Sequence, residues 1–150
     1  MPGELLEHQT AEKFRRALGA SSGSAPDGLT ILVVDDDEEI RLITEYSVQQ
    51  MGYRTLSAAN AEEALRILKG SRPDVVLTDA LMPNIDGRRL CRLIKKVDPS
   101  IKVIVMSALS RSAQYLAETL RTFQADEFLA KPINFDKLRQ VLGTMSQKAA

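Results

Sequence analysis

Four short apolar runs in this chain each end on a residue able to hold a metal ion or a phosphate. Ile31-Leu32-Val33-Val34 leads into Asp35, Asp36 and Asp37. Val75-Val76-Leu77-Thr78 ends in Asp79, Val103-Ile104-Val105-Met106 in Ser107, and Phe128-Leu129-Ala130 in Lys131-Pro132. If the runs are neighbouring parallel strands, their C-terminal ends meet at one edge, where open α/β sheets bind ligands. Carboxylates gathered at such an edge repel and resist ionisation. A divalent cation relieves this, and oxygen-only ligands with positions left for water and phosphate suit Mg²⁺. A carboxylate oxygen can also attack phosphorus and form an aspartyl phosphate, with a lysine nearby as a point charge on the phosphoryl group. Asp37 has a plainer role, since acids are favoured at helix N-termini.

The elements that position these residues follow from the pattern after Thr30, where strands and helices alternate. Strand one is expected over about 30–34, and a helix over 38–51 with Asp37 as N-cap and Gly52 just past its end. Strand two covers about 53–57. Asn60 with Glu63 resembles a capping box for a helix ending near Gly70. Strand three covers 74–78, and a loop with Pro83 and Gly87 leads into a helix through Leu90, Leu93 and Ile94. Strand four covers 102–106, a further helix 112–123, strand five 126–130, and Asn134 caps a final helix to about Met145. Five β/α repeats with short connections imply a doubly wound parallel α/β sheet with helices on both faces. The strands show little alternation, in keeping with burial on both sides.

The chain has 150 residues, which suits one domain plus a tail. Hydrophobic residues make up 44%, enough for a core, and 20 basic side chains balance 20 acidic ones, so nothing points to a nucleic-acid surface. The single cysteine, Cys91, cannot pair within the chain, which fits a reducing compartment, and it reads as a small buried hydrophobe. No apolar stretch approaches the roughly 18 residues of a membrane span, and no signal-peptide h-region is present. A soluble cytoplasmic protein is expected. Residues 1–28 read as an N-terminal extension: a short amphipathic helix at 4–18, with Ala11, Phe14 and Leu18 on one face, then a Gly/Ser-rich linker. Such a helix is marginal alone and must dock or fray. His8 reads as solvated and inert. Only a tail, 147–150, follows the final helix, so no output domain is expected.

The four motifs together resemble the receiver domain of two-component response regulators, in the manner of a chemotaxis-regulator-like single-domain receiver. The residues that carry the resemblance are Leu32-Val33-Val34-Asp35-Asp36, Thr78-Asp79 with Met82-Pro83 behind, Met106-Ser107-Ala108, and Phe128-Leu129-Ala130-Lys131-Pro132. It covers about 29–146, with spacings of 44, 28 and 24 residues between Asp35, Asp79, Ser107 and Lys131. The resemblance implies a five-stranded flavodoxin-like sheet of order 2-1-3-4-5. It implies that Asp79 is phosphorylated, that Asp36, Asp79 and the Leu81 carbonyl ligate Mg²⁺ (or Mn²⁺), and that Asp35 acts through water. Lys131 and Ser107 would contact the phosphoryl group, and the Lys131-Pro132 bond would be cis. Ser107 and Phe128 would form the switch: a bond from the Ser107 hydroxyl to the phosphoryl group draws the following loop inward, and Phe128 turns from exposed to buried. The chain departs from the pattern in three places, one being a longer stretch from Ser107 to Phe128 than in the chemotaxis member. Phe128 lacks the hydroxyl of the family's frequent tyrosine, so its switch rests on packing. The segment before it, Gln124-Ala125-Asp126-Glu127, lacks the glycine often found there.

The function this implies is a signalling switch that takes a phosphoryl group from a histidine kinase or phosphotransfer protein and acts on an unknown downstream protein. It would bind neither nucleic acid nor membrane, with a homodimer as a possible state. It would be no enzyme on external substrates, catalysing only its own phosphorylation and dephosphorylation. Leu81 and Leu109 would exclude water from the phosphoryl group. The alternative is a Mg²⁺-dependent aspartyl-phosphate phosphohydrolase. Such enzymes usually carry a second acid two residues past the nucleophile, where this chain has Leu81. A flavin carrier of the same strand order would need a phosphate loop after strand one, and Asp35, Asp36 and Asp37 there would repel phosphate.

Overall fold

The computed structural model describes residues 28–80, 82, 87–107 and 121–149. The expected helix at 4–18, His8, Leu81, Leu109 and most of the helix expected at 112–123 lie outside those residues. The chain runs β1 (Thr30–Val34), α1 (Glu38–Gln50), β2 (Arg54–Ala58), α2 (Ala61–Gly70), β3 (Val75–Asp79), α3 (Gly87–Val97), β4 (Lys102–Ser107), β5 (Glu127–Ala130) and α4 (Phe135–Ala149). The five strands form one all-parallel sheet in the order β2-β1-β3-β4-β5. This is the expected doubly wound, flavodoxin-like architecture.

The central strands β1, β3 and β4 are largely apolar because both faces are covered, while edge strand β2 (Arg54–Ala58) is mostly polar and partly exposed. Leu32, Val34 and Val76 pack against Ala64 and Leu68 of α2 and Leu90, Cys91 and Ile94 of α3. Ile31, Val33 and Leu77 point the other way, onto Val48 of α1 and Leu138 and Leu142 of α4. Each fully buried Leu or Ile contributes about 1.5–3 kcal/mol relative to exposure, so the two layers hold the sheet from both sides.

The helix starts are set by side chains that accept orphan amides. Asp37 Oδ1 accepts the Ile40 N–H at 3.1 Å, and Asn60 Oδ1 accepts that of Glu63 at 2.8 Å. Glu63 reaches back to the Ala59 N–H at 3.2 Å, one residue before the cap, a variant of the capping box. Asn134 Oδ1 accepts the Lys137 N–H at 3.1 Å. Gly52 follows α1 with φ 97, a left-handed turn that glycine adopts without steric cost. Strand two begins at Arg54 rather than residue 53, because the Tyr53 N–H still bonds back to Val48 O in the closing turn of α1. Helix α4 continues past Met145 to Ala149, since nothing in 146–149 breaks a helix.

Candidate metal and phosphoacceptor site

Register decides which residues meet. Val34 pairs with Thr78, so the next residues, Asp35 and Asp79, leave the sheet at the same edge. The Asp35 N–H extends the ladder to Ala58 O at 3.2 Å, and the Ala80 N–H to Met106 O at 2.8 Å. These bonds fix both backbones one residue beyond their strands. One carboxylate oxygen from each of Asp35, Asp36 and Asp79 lies within 4.8 Å of the others. Asp35 is buried, Asp79 half-buried and Asp36 exposed. Three oxygen donors of graded exposure, open to solvent on the Asp36 side, fit a hard cation that keeps some of its water.

Lys131 enters from the next-but-one strand. Its N–H donates to Ser107 O at 2.9 Å, which ties the end of β5 to the end of β4. The Lys131-Pro132 bond is cis. The ammonium donates to Asp79 Oδ2 at 2.9 Å and to Asp35 Oδ2 at 3.4 Å. Burial acts against the charge on Lys131, but the hydrogen bond to Asp79 and the nearby Asp35 charge outweigh it, and the ammonium is held above its ordinary pKa. Burial pushes the Asp35 carboxyl up, against the Asp37 N–H and Lys131, which both favour its ionised form. The Asp37 N–H donates to Asp35 Oδ1 at 2.9 Å and so orients it.

Ser107 closes β4 opposite Ala130 and is 3% exposed. Phe128 is 4% exposed and packs with Val105 in the layer that holds α2 and α3, so it is already buried rather than in the exposed position expected before phosphorylation. Asp35, Asp36, Asp79 and Lys131 thus converge, with Ser107 at the neighbouring strand end.

Three further residues, given no role at the site by the sequence, contribute to it. Arg41 Nη1 donates to Asp35 O at 2.7 Å and braces the acidic turn from α1. Buried Thr78 donates its hydroxyl to Asp79 O at 3.1 Å. Gly87, read only as a loop glycine, is the buried first residue of α3, and its N–H bonds to Ala80 O at 3.0 Å. The one signal for it was a glycine at a helix start, where a polar cap is usual.

Comparison with known proteins agrees with the fold. Residues 31–143 match the family model described as the response regulator receiver domain. The sporulation initiation phosphotransferase F of Bacillus subtilis is 34% identical over 112 residues, 75% of this chain and 89% of that protein. A probable transcriptional regulator, ycf27, of Porphyridium aerugineum is 36% identical over 104 residues, 69% of this chain and 42% of that protein. This chain spans less than half the length of such regulators. Among solved structures, the response regulator TrrA of Thermotoga maritima, in complex with Mg²⁺ and BeF, superposes with a TM-score of 0.69 at 33% identity, covering 78% of this chain and 98% of that one. The chain therefore belongs to the response regulator receiver family.

Proposed function

We propose that this receiver takes a phosphoryl group from a histidine kinase or phosphotransfer protein onto Asp79. The observation that carries the reading is the convergence of the Asp35, Asp36 and Asp79 carboxylates with the Lys131 ammonium 2.9 Å from Asp79. Asp36, Asp79 and the Leu81 carbonyl would hold Mg²⁺, with Asp35 acting through water. The related Thermotoga regulator, in its complex with Mg²⁺ and BeF, supports this choice of ion. The cation, when bound, supplies positive charge to the phosphoryl oxygens. Asp79 supplies the attacking oxygen, and its bond to phosphorus forms as the bond from phosphorus to the donor breaks. Lys131 supplies a fixed positive charge that favours the developing negative charge on the phosphoryl group. Ser107 donates its hydroxyl to a phosphoryl oxygen, a charge-assisted bond. Phe128 reports this by packing alone, as a two-state element biased by a local charge change.

A protein donor is favoured by the surface beside the acceptor. Ile40, Ile43, Pro132, Ile133 and Phe135 line an apolar groove that Lys131 also borders. Ile40 is 38% exposed, one of two large exposed apolar side chains among the described residues. Continuity between this groove and the acceptor suits a partner that docks there while presenting its phosphoryl group. No described helix is long and apolar enough to cross a membrane.

The test is intact mass after incubation with Mg²⁺ and acetyl phosphate. The expected result is a gain of one phosphoryl group, absent in Asp79→Asn and absent with chelator. A gain that survives Asp79→Asn places the acceptor elsewhere and sinks the reading.

A further inference from the structure

We propose that Gly87 is a positioning residue for the Asp79 acceptor, because only a residue without a Cβ lets the start of α3 rest on the backbone that carries Asp79. This rests on the reading of Asp79 given above and extends it to a residue that makes no contact with the phosphoryl group. A Cβ at position 87 would lie 2.7 Å from Asp79 O, 2.9 Å from Ala80 Cα and 3.1 Å from Ala80 O. All three are backbone atoms, so no side chain can swing aside. The other described glycines that lie within helices, Gly70 and Gly143, would place a Cβ in open space.

Neither wall of this contact is free to retreat. On one side, Asp79 pairs with Met106 in the sheet, and the Ala80 N–H is bound to Met106 O at 2.8 Å. On the other, Leu90, Cys91 and Ile94 hold α3 in the core at 0% exposure. The Gly87 N–H to Ala80 O bond at 3.0 Å draws the two walls together. Ordinary contact begins near 3.4 Å, so a methyl at the 2.7 Å approach needs about 0.7 Å more room. Carried to the carboxylate, a shift of that size lengthens the 2.9 Å bond from Lys131 to Asp79 beyond the usual limit of about 3.2 Å. Misplacement of a reacting group by about 1 Å costs on the order of 100-fold in rate.

Gly87→Ala is expected to slow phosphoryl uptake from acetyl phosphate about 10- to 100-fold. It is also expected to move the carboxyl ¹³C signal of Asp79 in metal-free protein. Gly143→Ala should leave both as in the parent chain. Uptake within about twofold of the parent, or an unmoved Asp79 signal, overturns the proposal. A purely structural role would lower the melting temperature and leave the Asp79 signal of the folded fraction in place. If the parent chain takes up no phosphoryl group, the acceptor reading fails, while the carboxyl signal still decides whether Gly87 positions Asp79. Should Gly87→Ala fail to fold, the coupling is read in reverse, since it is reciprocal. Asp79→Asn then has to shift the Gly87 amide resonance and its hydrogen-exchange rate, and no change in either overturns the proposal.

Discussion

Lys131 and Glu45 show two outcomes for a charge taken out of water. The Lys131 ammonium lies against two carboxylates, which outweigh its desolvation. Glu45, on the inner face of α1, is 6% exposed, and its Oε1 has no hydrogen-bond partner among the described residues. Burial raises its pKa above the ordinary 4.5, against a bond from Ser57 and the charge of Arg41. The sign follows from linkage. A carboxyl with a raised folded pKa contributes fully below the unfolded value and loses that contribution as pH rises through the folded one. Above the ordinary carboxylate range, burial therefore sets the folded chain against an ionisation that the unfolded chain completes freely in water. Glu45→Gln should melt at a higher temperature than the parent at about pH 7, with the gap closing as pH falls toward about 4. Thermal melts at the two pH values check this, and a gap that does not change with pH removes the buried-charge argument.

Among the elements, the entry to β5 carries an evident cost. Gln124 has φ 58, in the left-handed region that residues with a Cβ avoid. It occupies the segment that lacks the family's frequent glycine. Bonds from two neighbouring elements hold that segment in place. Asp126 Oδ2 accepts from Lys95 Nζ at 2.7 Å and from the Val103 N–H at 2.8 Å, which ties β5 to α3 and to β4. Asp126 is thereby committed to that tie, and β5 starts at Glu127 rather than 126. Gln124→Gly should stabilise the protein by about 1 kcal/mol, since glycine adopts positive φ without steric penalty. Urea denaturation measures this, and equal midpoints would show that the turn is unstrained.

At the scale of the molecule, the site exists because a parallel sheet brings its strand ends to one rim. The three carboxylates there come from the ends of β1 and β3, with Asp35 and Asp79 44 residues apart in sequence, and their repulsion is a standing cost of folding. A cation that binds only the folded form should stabilise the whole chain, by about 2.7 kcal/mol at a concentration about 100 times its Kd. Mg²⁺ should therefore raise the melting temperature in a concentration-dependent way. Asp36→Asn, at an exposed position, should abolish most of that rise while leaving the metal-free melting temperature close to the parent's. Calorimetry with and without Mg²⁺ checks both halves, and an equal rise in the variant would remove Asp36 from the ligand set.

The sequence alone determined the succession of the described strands and helices, the parallel sheet and which residues end its strands at the rim. Those signals are local: apolar runs of strand length, caps such as Asp37 and Asn60, and an acid, hydroxyl or lysine at the end of each run. It also marked the segment before Phe128 as unusual, though not that Gln124 would take a left-handed turn. What it could not show is how close things come. Arg41 and Gly87 carry no local mark that separates a surface arginine or a loop glycine from a part of the site. Their roles arise from contacts between different elements, at distances of 2.7 to 3.0 Å that are set only when the layers pack. Only the tertiary structure decided that the start of α3 would rest on Asp79, because that contact depends on the absence of an atom.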